Sequence, residues 1–194
     1  CMKVAIYGKE ITQDSRSQLE LLYNKLVNAG VSICVNNKFN EFLTSHCDMN
    51  LGFNTYDSHI AFKECNPDIL LTIGGDGTFL DSTTFVRDTG VPILGINTGR
   101  LGFLANVSKD EVEDAADAIL NGQYIFDERH LINVKSTLSD IDFDPDFALN
   151  EVAISRKDTT TMLTVHAWID NEYLNSYWAD GLMLSTPTGS TGYS

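Results

Sequence analysis

Apolar positions recur along this chain with two different periods, and the change from one to the other divides it. Residues 3–7 (Lys-Val-Ala-Ile-Tyr) form a short apolar run closed by Gly8, as a first strand should be. Over residues 15–29, Leu19, Leu22, Leu26 and Ala29 share one helical stripe, and Gly30 stands at its end. Residues 31–35 read as a second strand and 39–45 as a short helix, whereas 46–56 show no clear period. The apolar run 69–73 predicts a buried strand leading into a helix that reaches about Asp88, and 91–96 predicts another strand. An acidic amphipathic helix is expected over 109–120, with Val112, Ala115, Ala116, Ile119 and Leu120 inward. This alternation implies a parallel sheet with right-handed crossovers. After Gly122 the pattern becomes strand-like at 131–134, 147–155, 162–169 and 173–178, with Asp170-Asn171-Glu172 as a hairpin turn. The expected fold is an α/β N-terminal domain with a mainly parallel sheet over residues 1–122, followed by a β-rich C-terminal domain over 123–194. The chain stops at Ser194, inside a loop dense in hydroxyls and glycines, so it is expected to be part of a longer protein whose β domain continues.

Composition narrows the class. With 194 residues and 43% hydrophobic residues, the chain can bury a real core. No apolar run approaches the ~20 residues of a membrane helix. Met2-Lys3 leads directly into Val4 without a signal-peptide pattern, so a cytoplasmic protein is expected. Four cysteines without C-x-x-C spacing read as free thiols, and four scattered histidines form no zinc pattern. The net charge of −14 argues against nucleic acid as a partner. An anionic nucleotide would need local amide donors, a few cations or a divalent metal to offset that field.

The most informative segment is Ile73-Gly74-Gly75-Asp76-Gly77-Thr78-Phe79-Leu80. A strand that ends in Gly74-Gly75, presents Asp76 and turns again at Gly77 puts a carboxylate at the carboxyl end of a sheet, where open α/β sheets bind ligands. Glycines there let the backbone approach a phosphate closely. The segment is neither a Walker A loop nor G-x-G-x-x-G. A second glycine-rich loop, Asn97-Thr98-Gly99-Arg100-Leu101-Gly102-Phe103-Leu104, follows the next strand and is read as part of the same cleft. By itself it would be an ordinary surface turn.

Two further motifs lie in the β-rich part. Asn150-Glu151 sits within an apolar stretch, and neighbours on a regular strand point to opposite faces. Both side chains can serve one ligand only at a strand end or bulge. An amide and a carboxylate suit an adenine edge or ribose hydroxyls. Residues 179–193 (Ala-Asp-Gly-Leu-Met-Leu-Ser-Thr-Pro-Thr-Gly-Ser-Thr-Gly-Tyr) supply Asp180, several hydroxyls, free amides and a ring. The bland alternative is a Ser/Thr-rich loop that caps its own backbone.

GGDGTFL, GINTGRLGFL, LNEVAI and DGLMLSTPTGSTGY, in that order, closely resemble the NAD kinase family over nearly the whole chain. GGDG alone is shared with diacylglycerol-type lipid kinases and phosphofructokinases; the combination is specific. The resemblance implies an NAD site between an α/β and a β-rich domain. It also implies ATP-dependent phosphorylation of the 2′-hydroxyl of the adenosine ribose of NAD to give NADP, with Mg²⁺ as divalent metal. By the same resemblance, Asp76 is the proton acceptor, and Gly74, Gly75 and Gly77 belong to the nucleotide site around it. Asn150 and Glu151 match the family's NAD-binding pair, and Thr161 falls where some members make a further contact. Asp180 and the run Thr191, Gly192, Tyr193 and Ser194 match the segment that holds the dinucleotide, often from a neighbouring subunit. A homo-oligomer, dimer or tetramer, is therefore implied. No residue is assigned as a metal ligand. Trp178 stands where some members carry an Arg that accompanies preference for NAD over NADH.

Two other functions fit parts of the sequence. A lipid kinase of the diacylglycerol type would share GGDG, but would be expected to carry a Gly-Thr-Gly-Asn segment in place of Asn97-Thr98-Gly99-Arg100. A non-catalytic nucleotide-binding fragment would keep the loops without turnover.

Overall fold

In a computed structural model of the chain, residues 2–51, 54–138, 140–157 and 161–192 are described. Two compact units form, Cys1–Phe126 and Asp127–Ser194.

The first unit is a six-stranded, wholly parallel sheet. Its strands are β1 (Lys3–Gly8), β2 (Ser32–Asn36), β3 (Thr55–Tyr56), β4 (Ile69–Ile73), β5 (Ile93–Asn97) and β6 (Val107–Ser108), in the order β3-β2-β1-β4-β5-β6. Four helices connect its strands among the described residues, α1 (Gln13–Asn28), α2 (Asn37–Cys47), α3 (His59–Cys65) and α4 (Asp76–Val86), and α5 (Val112–Leu120) follows β6. The central strands are buried on both faces, which is why their sequences run continuously apolar. Alternation still decides the face. Val4, Ile6, Ile69, Leu71 and Ile73 pack with Leu19, Leu22 and Leu26 of α1, Phe39 and Leu43 of α2, and Val112, Ala116 and Ile119 of α5. Ala5, Tyr7 and Leu70 face the other way, toward Phe62 of α3 and Val86 of α4. At β1 the chain leaves on one side to β2 and returns on the other as β4. That reversal is the switch point at whose carboxyl edge such sheets open a crevice.

Helix ends follow local chemistry. Gly30, at φ +74, closes α1 with its N–H on the Val27 carbonyl, as its position predicts. Asn36 caps α2 through a bond accepted from the Phe39 N–H. Two elements carry too little periodicity to be expected from sequence: β3 inside the unpatterned stretch, and α3, seven residues with one buried side chain.

The second unit contains three antiparallel pairs. Strands β7 (Ile132–Asn133) and β8 (Phe147–Ala148) form one, β9 (Glu151–Ser155) and β12 (Gly181–Ser185) another, and β10 (Leu163–Ile169) and β11 (Glu172–Ala179) the third. The β10–β11 hairpin turns at Asp170 and Asn171, both at positive φ, the geometry that Asp and Asn tolerate best. Among the described positions of this unit, Leu149, Thr186 and Gly189 are the buried ones. Ile154, Trp168, Ile169, Tyr173, Trp178 and Leu184 are exposed. The expected single strand 147–155 is two strands, broken at Leu149-Asn150. Residues 181–185, for which the sequence pattern sets no expectation, are a strand because β9 offers them a partner.

Candidate functional site

Gly74 and Gly75 alone separate β4 from α4. Gly74 sits at φ +152 with its N–H on the Ile96 carbonyl, and a Cβ there would come 2.4 Å from Thr78 Oγ1. Gly75 is the N-cap of α4; its carbonyl accepts from the N–H groups of Thr78 and Phe79. Asp76 is the first residue of the helix, where a negative charge is favoured by the helix dipole. Around Gly75 and Gly77 the situation is reversed from Gly74. A Cβ at either would meet no atom within 4 Å, and both are exposed. Gly77 costs the helix about 1 kcal/mol relative to Ala and fills no packing need. Open space on both sides of a carboxylate is what a closely approaching ligand requires.

The second loop closes on that carboxylate. Phe103 N–H donates to Asp76 Oδ2 at 2.9 Å, while Leu104 N–H and Ala105 N–H donate to Oδ1 at 3.0 and 2.9 Å. Burial pushes the Asp76 carboxyl up, but the three amide bonds, from Ala105, Phe103 and Leu104, outweigh it and hold it below the usual aspartate range. Asn97, buried at the end of β5, braces the loop: its amide donates to the Ala105 carbonyl and accepts from Gly99 N–H. Gly95 lets Ala105 sit directly on β5, since a Cβ would lie 2.5 Å from Ala105 Cα. The two glycine loops thus meet, joined through Asp76. Phe103, 86% exposed, presents its ring on this loop, and Arg100 is exposed nearby in sequence. The partnership with residues 103–105 escaped the sequence reading because backbone donors leave no side-chain signature.

In the second unit the third and fourth motifs meet. Asn150 occupies the break between β8 and β9, and Glu151 begins β9, paired with Ser185. The strand is irregular at this pair, as two neighbouring polar side chains sharing a ligand require. Thr186 N–H donates to the Asn150 carbonyl at 2.8 Å and Thr186 Oγ1 to the Leu149 carbonyl at 2.6 Å. Gly189 packs against the same backbone, leaving 2.4 Å between a would-be Cβ and the Asn150 carbonyl oxygen. Asn150 Oδ1 is buried without a hydrogen-bond partner. Buried amide oxygens rarely stay unpaired. Asp180, largely exposed, pairs with Arg156 at 3.1 Å. Thr161, Thr191 and Gly192 are exposed. Part of the hydroxyl-rich loop does cap itself: Ser190 Oγ donates to the Pro187 carbonyl, and Gly192 N–H to Gly189. Tyr193 and Ser194 lie outside the described residues.

Residues 4–124 match the ATP-NAD kinase N-terminal domain and residues 149–194 the ATP-NAD kinase C-terminal domain. The chain belongs to the ATP-NAD kinase family. It is 42% identical, over 100% of its residues, to an NAD kinase of Flavobacterium psychrophilum, and 40% identical to one of Bacteroides fragilis. It spans 66% and 65% of those relatives' lengths, about two thirds in each case. The fold is shared with two solved structures. Yeast NADH kinase complexed with NADH matches at TM-score 0.82 and 24% identity, covering 99% of this chain and 59% of that one. An NAD kinase from Archaeoglobus fulgidus in complex with ATP matches at TM-score 0.67 and 23% identity, covering 99% and 64%.

Among the described residues, no three His, Cys, Asp or Glu side chains converge in a way that could hold a metal ion. Three of the acceptor positions of Asp76 are taken by amides. These residues do not build a resident site for a divalent cation. Nor is any helix among them long and apolar enough to cross a membrane.

Proposed function

We propose that the protein this chain represents is an NAD kinase, transferring the γ-phosphoryl group of ATP to the 2′-hydroxyl of the adenosine ribose of NAD. The observation that carries this reading is the flanking of ionised Asp76 by two glycines, Gly75 and Gly77, whose missing side chains leave open space, at the carboxyl end of β4 in a member of this family. A ribose hydroxyl reaching Asp76 gives up its proton to the carboxylate as the O2′–P bond forms and the bond from phosphorus to the ADP oxygen breaks. Phosphoryl transfer has a loose transition state, so the proton moves late and a base weaker than ordinary aspartate suffices. Exposed amides of the Gly75–Gly77 turn supply donors to phosphate oxygens. Magnesium would enter as the metal complex of ATP, carried by its phosphates. Asn150 and Glu151 are assigned to the adenosine end of NAD, with the unpaired Oδ1 of Asn150 as one acceptor, and Asp180, Thr161 and residues 191–194 to the remainder of the dinucleotide. We assign the assembly as a homo-oligomer in the cytoplasm.

Phosphorus NMR of the products from NAD and ATP tests the reading. It should be run on this chain and on a chain of the relatives' full length. A new phosphomonoester resonance on the 2′ position supports it. ATP consumption without a 2′-phosphate, or phosphorylation of lipid in vesicles, would overturn it.

A further inference from the structure

Asp76 accepts three amide bonds, and they are divided unequally between its two oxygens. An ionised carboxylate offers about four lone-pair positions. Oδ1 takes two N–H groups, from Leu104 and Ala105; Oδ2 takes one, from Phe103. One position remains, on Oδ2. The arrangement depends on the absence of a side chain at residue 102. A Cβ on Gly102 would lie 2.0 Å from Asp76 Oδ1 and 2.7 Å from Oδ2, so no other residue lets the loop close over the carboxylate. Gly102 is not glycine for its backbone angle, since it is not among the residues at positive φ. Its N–H donates back to the Ala105 carbonyl, which tightens residues 102–105 into the turn that lines up the three amides.

We infer that the 102–105 turn is an amide cradle that selects Oδ2 of Asp76 as the proton-accepting atom, and that Gly102 is the positioning residue that makes the cradle possible. This rests on the kinase reading given above. The cradle does two things for the reaction. It fixes the carboxylate's rotation, so that the single open lone pair has one direction rather than four. It also keeps Asp76 ionised when acid would otherwise protonate it, which extends the acid side of the activity range. No ion pair contributes: of the charged residues on the elements packed against it, Asp81 of α4 is engaged by Lys9, and Arg100 on the loop is exposed.

The test compares wild type, Gly102→Ala and a control, Gly99→Ala, whose Cβ would meet only Asn97 Oδ1 at 3.9 Å. Carbon-13 NMR follows the Asp76 carboxyl through its titration, assigned by its absence in Asp76→Asn, and needs no turnover. In wild type and Gly99→Ala it should titrate below the ordinary aspartate value of about 3.9; in Gly102→Ala it should rise to that value or above. In steady-state kinetics Gly102→Ala should lower kcat at least about tenfold while KM for NAD stays within about threefold, and the acid limb of the pH profile should move upward with the carboxyl titration. A carboxyl that titrates normally in wild type overturns the cradle. So does a Gly102→Ala variant that loses kcat while both titrations stay in place, because that loss would be structural only. Should Gly102→Ala fail to fold, amide exchange decides: Phe103, Leu104 and Ala105 must be protected in wild type and lose protection in Asp76→Ala, which has no side-chain acceptor. Absence of NAD phosphorylation in every chain would remove the kinase reading, while the carboxyl titration would still report on the cradle.

Discussion

Thr186 holds the hydroxyl-rich loop to the Asn150 segment, and replacing it with valine measures that latch. The side chain is 4% exposed. Its hydroxyl donates to the Leu149 carbonyl at 2.6 Å, shares that proton with the Asn150 carbonyl at 3.2 Å, and accepts from Gly189 N–H at 3.3 Å. Valine keeps the shape and removes all three contacts, though the Asn150 carbonyl keeps the Thr186 backbone N–H at 2.8 Å. Gly189 N–H retains the Thr186 backbone carbonyl at 3.2 Å, so its loss is small. The Leu149 carbonyl, on a residue itself buried, loses the hydroxyl that satisfies it. Leaving a buried acceptor unpaired costs roughly 1–3 kcal/mol, so Thr186→Val should destabilise the second unit by about 2 kcal/mol. The assay is specific to that unit, because both tryptophans, Trp168 and Trp178, lie in it. Urea unfolding followed by fluorescence excited at the tryptophan edge should show the midpoint fall at unchanged slope. Ser190→Ala is the comparison: its single bond, to the Pro187 carbonyl, is exposed, and the change should stay within about 0.5 kcal/mol. If Thr186→Val also stays within that margin, the latch is not what orders residues 186–192.

Four other outcomes are expected. Asn150→Leu removes a buried, unpaired amide oxygen and should leave stability unchanged or raise it by about 1 kcal/mol, while NAD affinity measured by calorimetry falls at least about tenfold; a parallel fall in both would make Asn150 purely structural. Gly77→Ala should stabilise the chain by up to about 1 kcal/mol in thermal unfolding, because its Cβ meets nothing, yet lower kcat/KM by blocking ligand approach; unchanged kinetics would show that the space beside Asp76 is not used. Asp76→Asn should lower kcat by ~10² or more. Its stability deficit should also be pH-dependent. Since the folded carboxyl lies below its unfolded value, wild type holds its advantage above the ordinary aspartate range and loses it as pH falls through the folded value, so the two unfolding curves should converge in acid. Finally, Trp168, Ile169, Trp178 and Leu184 are exposed beside sheet edges, so this 194-residue chain should associate with rising concentration in light scattering; a monodisperse monomer throughout would contradict that.

Much of the first unit was legible because its strands are buried on both faces. Residues 69–73 are all apolar or nearly so, and all five are buried, so the run itself marks the strand. The helices with several inward residues, α1 and α5, were equally plain. What failed to register was short or depended on a distant partner. The two-residue strands β3 and β6 exist because a neighbouring strand offers them a ladder. Residues 181–185 sit among glycines and hydroxyls that locally favour a loop, yet they pair with Glu151–Ser155 over five positions. Local propensity lost there to a contact far along the chain.

The site divides the same way, and its glycines show why. Sequence gives Gly74, Gly75, Gly77, Gly102 and Gly189 one letter and one meaning, backbone freedom near a ligand. The structure separates them by what a methyl group would strike. At Gly74, Gly102 and Gly189 it would strike the protein: Thr78, the Asp76 carboxylate and the Asn150 carbonyl in turn, each at 2.4 Å or less. Those three glycines are closures; each lets one segment lie against another and so builds the walls. At Gly75 and Gly77 a methyl would strike nothing, and their smallness serves something outside the chain. Asp76 was legible as the chemical group because its carboxylate is written in the sequence. Its acceptor capacity was not, because three of the four lone pairs are spent on main-chain donors 27, 28 and 29 positions away, in residues whose side chains have no part in the contact. The one trace those donors leave in the sequence is Gly102, a glycine required by the oxygen it covers.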